Sequence, residues 1–373
     1  MAFTHLLLCS ICIFFVLYAP QPLLAVFTNT FNITTAQSGS LMSLTMLPLA
    51  IAPIFYGLIL AKRNVLQVLK WTMFALAFSC LAFVWVEPFI YLQGIRLLQG
   101  LLLPAALTSM TGYVAMQFQG TQVQKKMAFY IGSTIIGGYL GRVLAASFAS
   151  WFSWQSFYYF MAIVLCVFAM FIQPSRHQTQ IKPYTSPKEY LRPLHSKPVL
   201  TLYLGVFSMF FCFAGLMNFL PFILGDWFNI TNTKDVGLVY TGYLLGAALS
   251  SSATWLVKRC RSAAGFIFTI FVLYVFTLVF MQIPTFSVFI SAFTLFCMAM
   301  FMIHTTAAGY ANQISQAPAT VTNGAYVSFY YSGGALGSFL PGYAYDLGGV
   351  SALLWVLTAV AMFGALATQH IHK

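Results

Sequence analysis

Phe31-Asn32-Ile33-Thr34 follows the first long apolar run of the chain, and the same four residues return as Phe228-Asn229-Ile230-Thr231, 197 positions later (228 − 31). Two further matches keep nearly that spacing. Leu60-Ala61-Lys62-Arg63 returns as Leu256-Val257-Lys258-Arg259 and Gly137-Gly138-Tyr139-Leu140-Gly141 as Gly333-Gly334-Ala335-Leu336-Gly337, both 196 positions on (256 − 60, 333 − 137). One match is within chance. Three at nearly one offset, each at the same place in its half, indicate duplication. The two Asn-Ile-Thr triplets also fit a glycosylation sequon, but the repeat explains them more simply.

The duplicated unit is a set of membrane spans. Hydrophobic residues make up 60% of the chain and charged residues 6%, with a mean hydropathy of +0.86. A soluble domain carries about 25% charged residues, so this surface is built for lipid. Barrel strands would alternate over roughly ten residues. Here the apolar runs reach about 20, enough for a helix to cross about 30 Å of hydrocarbon with its backbone groups satisfied internally. Twelve spans are expected, at 6–27, 37–60, 66–86, 88–116, 127–150, 155–173, 199–223, 237–257, 263–281, 286–310, 324–345 and 350–369. The organisation expected is an N-terminal half over 1–173, a linker over 174–198 and a C-terminal half over 199–373. The fold class is thus an all-α polytopic membrane protein of two pseudo-symmetric six-helix halves, an arrangement that places a substrate site near the midplane. Met1–Leu8 carries no Lys or Arg, so the first run reads as a retained span and not a cleaved signal.

Charge orients the spans. With the N-terminus in the cytoplasm, 14 of the 17 basic residues fall on that side: Lys62, Arg63, Lys70, Lys125, Lys126, Arg176, Lys182, Lys188, Arg192, Lys197, Lys258, Arg259, Arg261 and Lys373. Only Lys234 falls outside, with Arg96 and Arg142 inside spans. The positive-inside rule then gives cytoplasmic N and C termini, in a plasma membrane or, in a Gram-negative cell, the inner membrane. The same rule accounts for the net charge of +12, so no nucleic-acid partner is expected. Glu87, Asp226, Asp235 and Asp346 sit outside and Glu189 inside. The seven cysteines lie nearly all within apolar runs, and Cys9-x-x-Cys12 has no second pair, so neither metal nor redox chemistry is expected.

Arg96-Leu97-Leu98-Gln99-Gly100, followed by Pro104-Ala105, resembles the R-x-x-Q-G motif in the fourth helix of the major facilitator superfamily. Gly137-Gly138-Tyr139-Leu140-Gly141-Arg142 resembles the glycine-rich fifth-helix motif of its drug/proton antiporter branch. Tyr18-Ala19-Pro20-Gln21-Pro22 is similar to the Q-P-containing first helix of that branch. The chain departs from the family at Gly57-Leu58-Ile59-Leu60-Ala61-Lys62-Arg63-Asn64-Val65. There Ala61 replaces an acid that is thought to latch the halves, and Asn64 replaces a glycine. Ser133-Thr134 likewise stands where the fifth-helix motif has Gly-Pro. The resemblance implies the major facilitator fold and a secondary active transporter that moves a small amphipathic solute by alternating access, with efflux of drug-like compounds by antiport; the alternative from another class is a non-transporting membrane receptor or assembly factor.

The residues themselves supply the candidate pathway. Arg96 and Arg142 are charges at similar depth in neighbouring spans, and an intramembrane charge is costly enough to suggest function. Each also fits a structural role, bonding backbone carbonyls. No Asp or Glu lies near the middle of a span. That leaves His304 as the titratable alternative for a coupling proton, and a positive cavity that favours an anionic metabolite or carboxylate siderophore. Gln21, Tyr18, Gln99, Asn218 and Tyr330 complete the candidate substrate or ion pathway. Gly137, Gly138, Gly141, Gly333, Gly334 and Gly337 are expected to let helices approach and slide. No hydrolase, phosphate-loop or metalloprotease motif occurs, so the expectation is a non-enzyme without cofactor or metal, a monomer in the lipid bilayer with a small-molecule substrate.

Overall fold

The computed structural model describes residues 1–60, 63–174, 192–260, 262–369 and 371. Residues 175–191 of the expected linker, with Arg176, Lys182, Lys188 and Glu189, lie outside the described residues, as do Ala61, Lys62, Arg261 and Lys373. So do the side chains at 57–60 and 258, which hold part of the 57–65 motif and its repeat.

Among the described residues the chain makes twelve helical passes, and nearly every expected span has its helix. α1 runs over Phe3–Phe31, and α2 to α7 over Thr35–Leu60, Val65–Trp85, Phe89–Gln117, Thr121–Trp151, Trp154–Met170 and Lys197–Phe228. α8 occupies 233–259 as three short helices joined through a 3-10 turn at Ser250–Ser252. α9 is Ala263–Phe280 and α10 Phe286–Ile314. α11 comprises Ala319–Gly337 and, past a two-residue turn, 340–347. Gly348 and Gly349 break the helix, Gly349 at a φ of 63° that a side chain would resist, and α12 follows over 350–369.

With twelve passes both termini lie on one face, here the terminal face; the turns after α1, α3, α5, α7, α9 and α11 lie on the distal face. The repeat is visible in the backbone. Asn32 and Asn229, from the two Phe-Asn-Ile-Thr copies, both end their helices in the left-handed conformation, at φ 50° and 56°. They are the only non-glycine residues with positive φ among those described. The glycine repeat is equally regular. A Cβ on Gly137 would stand 2.8 Å from the Ile11 carbonyl, and one on Gly141 2.8 Å from Phe15 Cα, so α5 lies directly on α1. Gly333 and Gly337 hold α11 against the backbone of α7 at Phe207 and Phe211 in the same way. These four glycines therefore pack helices inside each set of six.

Between the sets, contact is concentrated toward the distal face. Thr35 and Ala36 donate their backbone N–H groups to the Asp346 carboxylate, both at 3.3 Å, which caps α2 from the end of α11. A Cβ on Gly39 would strike the Ser338 carbonyl, and one on Gly342 would lie 2.5 Å from Ala36 Cα. On the opposite side of the bundle, Thr233 Oγ1 donates to the Ala146 carbonyl at 3.0 Å and Gly237 faces Ala146. Among the described residues α4 and α5 make no extended packing with α10 or α11. The space between the sets is closed distally.

Candidate substrate site between the two sets of helices

Prolines shape the centre of α1. Pro20 and Pro22 bring no N–H, so the helix stops at Tyr18, makes one 3-10 turn at Gln21–Leu23 and restarts at Leu24. Pro20 leaves the Val16 carbonyl without its helical donor. Arg96 of α4 supplies one. Its Nη1 donates to Val16 O at 2.9 Å and to Gln99 Oε1 at 2.6 Å. Nη2 donates to Leu17 O at 3.0 Å and reaches Met42 Sδ at 3.7 Å. Nε donates to Leu41 O at 3.0 Å. Gln99 passes its amide on to Ser79 Oγ of α3 at 3.1 Å. Arg96 and Gln99 are fully buried, and every guanidinium nitrogen is engaged. This pair ties α1, α2, α3 and α4 together at the helix break.

Arg142 is placed differently. Its Nε donates to Gln21 Oε1 at 2.5 Å and its Nη1 to the Gly138 carbonyl at 2.6 Å. The rest of the guanidinium is enclosed by rings, with Tyr18, Tyr243 and Tyr240 centroids 4.2, 4.8 and 5.5 Å from Cζ. Such cation–π contacts favour a charge withdrawn from water. Gly138 leaves room for this packing: a Cβ there would lie 3.3 Å from Nη1, Tyr18 and the Tyr243 hydroxyl alike.

Gln21 then bridges the two sets. Its Nε2 donates to Asn218 Oδ1 of α7 at 2.5 Å. The two amides are 197 positions apart, the offset of the Phe-Asn-Ile-Thr repeat, so equivalent positions of the two copies meet here. Asn218 is fully buried, and its Nδ2 has no hydrogen-bond acceptor. The cluster lies about ten residues in from the distal ends of α1, α5, α7 and α8. That is roughly 15 Å, half the hydrocarbon thickness. Glu87, Asp226, Asp235 and Asp346 all lie at distal ends, so the carboxylates described are remote from Arg142.

His304 and Tyr330 form a separate group on the terminal side. Tyr330 stacks on Phe210 of α7 at 3.6 Å and 15°, and its centroid is 4.7 Å from that of His304. Ring contacts join the two groups: Phe210 with Phe213, Phe213 with Tyr243, and Tyr243 over Arg142. Gly334 belongs to this lining, since a Cβ there would meet the Phe210 ring at 2.4 Å and Met46 Sδ of α2 at 3.0 Å.

The family profile of the Major Facilitator Superfamily matches residues 6–338. The chain belongs to the major facilitator superfamily. An uncharacterised transporter of Buchnera aphidicola subsp. Baizongia pistaciae is 25% identical over 337 residues, covering 87% of this chain and 81% of that one. Among solved structures, the nucleoside transporter NupG superposes with a TM-score of 0.81 at 12% identity over all of both chains. A bacterial homologue of the human lysosomal transporter Spinster, inward-facing and occupied, gives 0.75 at 14% identity over 99% of this chain and 95% of that one. These two share the fold.

Within this superfamily architecture the structure separates the sequence candidates. Arg96 and Gln99 are consumed in a backbone staple. Tyr18, Gln21, Arg142 and Asn218 converge on one spot, and His304 with Tyr330 forms a second. Tyr240 and Tyr243 of α8, which enclose Arg142, have no sequence signal beyond an aromatic content of 17%. Asn218 and Gln21 stand in the sequence as separate candidates; the structure pairs them, at the offset of the repeat. At the motif over 57–65, Asn64 accepts from the Leu66 and Gln67 N–H groups at 3.0 and 3.1 Å, capping α3 where the family has glycine.

Proposed function

We propose that this chain is a secondary active transporter of small amphipathic organic anions, a non-enzyme that works as a monomer by alternating access. The observation that carries the reading is the environment of Arg142, a guanidinium held near the midplane without a carboxylate partner, linked through Gln21 to an amide donor that lacks an acceptor. A carboxylate or sulfonate would supply both the missing charge and the missing acceptors, and charged hydrogen bonds of this kind are about twice as strong as neutral ones. The surrounding rings suit an apolar or aromatic body.

Halves 1–173 and 199–373, joined by 174–198, would rock about this site. The loop charges favour a cytoplasmic terminal face with both termini inside a plasma membrane, inner in a Gram-negative cell. A second reading, efflux of drug-like compounds by antiport, draws on the ring chain from Tyr243 to Tyr330.

Uptake into proteoliposomes separates the two. Benzenesulfonate and phenyltrimethylammonium carry one ring each and opposite permanent charges. Saturable uptake of the anion, with none of the cation, is expected. Saturable uptake of the cation alone removes the anion reading and leaves the second.

A further inference from the structure

Tyr326 of α11 contacts both the imidazole and the backbone carbonyl of His304. The phenol oxygen lies 2.9 Å from His304 Nδ1 and 3.1 Å from the backbone carbonyl of the same residue. A carbonyl only accepts, so the single phenolic proton goes to it. Two oxygens at that distance with no proton between them would repel. With that proton on the carbonyl, the phenol oxygen accepts from Nδ1, an arrangement that favours the neutral ring with its hydrogen on Nδ1. Nε2 is left as a bare lone pair, and it makes no hydrogen bond with any described residue.

The neighbours of that nitrogen are aromatic. His304 is only partly buried, in contrast to Arg96 and Arg142. From α11, Tyr326 and Tyr330 face it; from α7, Tyr203 stands beyond Tyr326 at 6.2 Å. α8 and α9, the other neighbours of α10, bring no titratable side chain to the ring among the described residues. The Tyr330 ring, 4.7 Å away and backed by Phe210, gives an imidazolium an aromatic face.

We propose that His304 Nε2 is a proton-binding site on the terminal side of the space between the helix sets. A proton adds to the Nε2 lone pair while the Nδ1–H bond to Tyr326 stays in place, giving an imidazolium with both nitrogens bonded to hydrogen. Tyr326 is a positioning residue: it reserves Nε2 as the single titrating atom. The proposal is independent of the anion reading.

The test is nitrogen NMR of the full chain, labelled at its six histidines, in lipid nanodiscs between pH 4 and 8. His304→Gln identifies the resonances. The expected result is a neutral ring protonated on Nδ1 and a single titration at Nε2. In Tyr326→Phe, loss of one hydrogen bond should lower the ratio of Nδ1–H to Nε2–H roughly fivefold. The proposal is overturned by a neutral ring protonated on Nε2, by a ring that takes up no proton in that range, or by a tautomer ratio unmoved in Tyr326→Phe. It stands or falls on the protein alone, so failure of benzenesulfonate uptake bears only on the substrate.

Discussion

Arg96→Lys keeps the charge of the α4 guanidinium and removes its geometry. Arg96 makes four short donations and one sulfur contact, which reach the Val16, Leu17 and Leu41 carbonyls and Gln99. A lysine has three donors on one atom and cannot span α1 and α2 together. The Val16 carbonyl, already deprived of its helical donor by Pro20, is the acceptor least able to recover. Hydrogen bonds inside membrane proteins contribute about 0.6 kcal/mol on average and up to about 1.7, and those from a charged donor lie toward the upper end. Two or three lost bonds amount to about 2–3 kcal/mol. Equilibrium unfolding in mixed micelles, followed by tryptophan fluorescence, should show that loss, with benzenesulfonate affinity of the folded fraction held within about twofold. A variant as stable as the parent that binds the anion tenfold more weakly would refute the reasoning, because Arg96 would then face substrate.

Other consequences follow from the same contacts. Gly137→Ala and Gly337→Ala push a methyl into the backbone of α1 or α7 and should each cost about 1–3 kcal/mol in that assay. Gly132→Ala, with nothing within 4 Å of its Cβ, should be neutral or slightly stabilising. Asp346→Asn removes the charge that caps α2, so distal opening should rise about two- to fivefold, the value of one charge at a helix N-terminus. Maleimide labelling of Ser338→Cys, a site buried at the distal contact, reads that change; an unaltered rate would mean the carboxylate does not hold the gate.

The helices were legible because lipid imposes a simple rule on sequence: twelve apolar runs of the right length yield twelve passes. The ends were less so: the spans expected to close at 27 and 223 run on to Phe31 and Phe228, where Asn32 and Asn229 cap them in the left-handed conformation. The breaks within α8 were not, as Ser250–Ser252 carries no proline to announce them. Intramembrane charge draws attention to Arg96 and Arg142 alike, but nothing local distinguishes a guanidinium that serves carbonyls from one that lacks a carboxylate partner. That difference depends on Pro20 in another helix and on the tyrosines of α8. The glycines of α5 and α11 were legible as places of close approach, yet which helix approaches is a matter of topology. Gly137, Gly141, Gly333 and Gly337 turn out to pack inside a set, whereas Gly39 and Gly342, which carry no motif, lie where the sets meet. Asp346 reads in sequence as one more external acid, and its role at the N-terminus of α2 needs residues more than 300 positions apart.

Gln21→Glu tests the central claim most directly. The substitution is isosteric and places a carboxylate oxygen at the position now 2.5 Å from Arg142 Nε, so the protein supplies its own counter-ion. Calorimetric titration of the variant in nanodiscs should show benzenesulfonate binding weakened at least about tenfold, the effect of about 1.4 kcal/mol, with unfolding stability equal to the parent or higher. Undiminished anion binding in a folded Gln21→Glu protein would contradict the account and place the substrate away from Arg142.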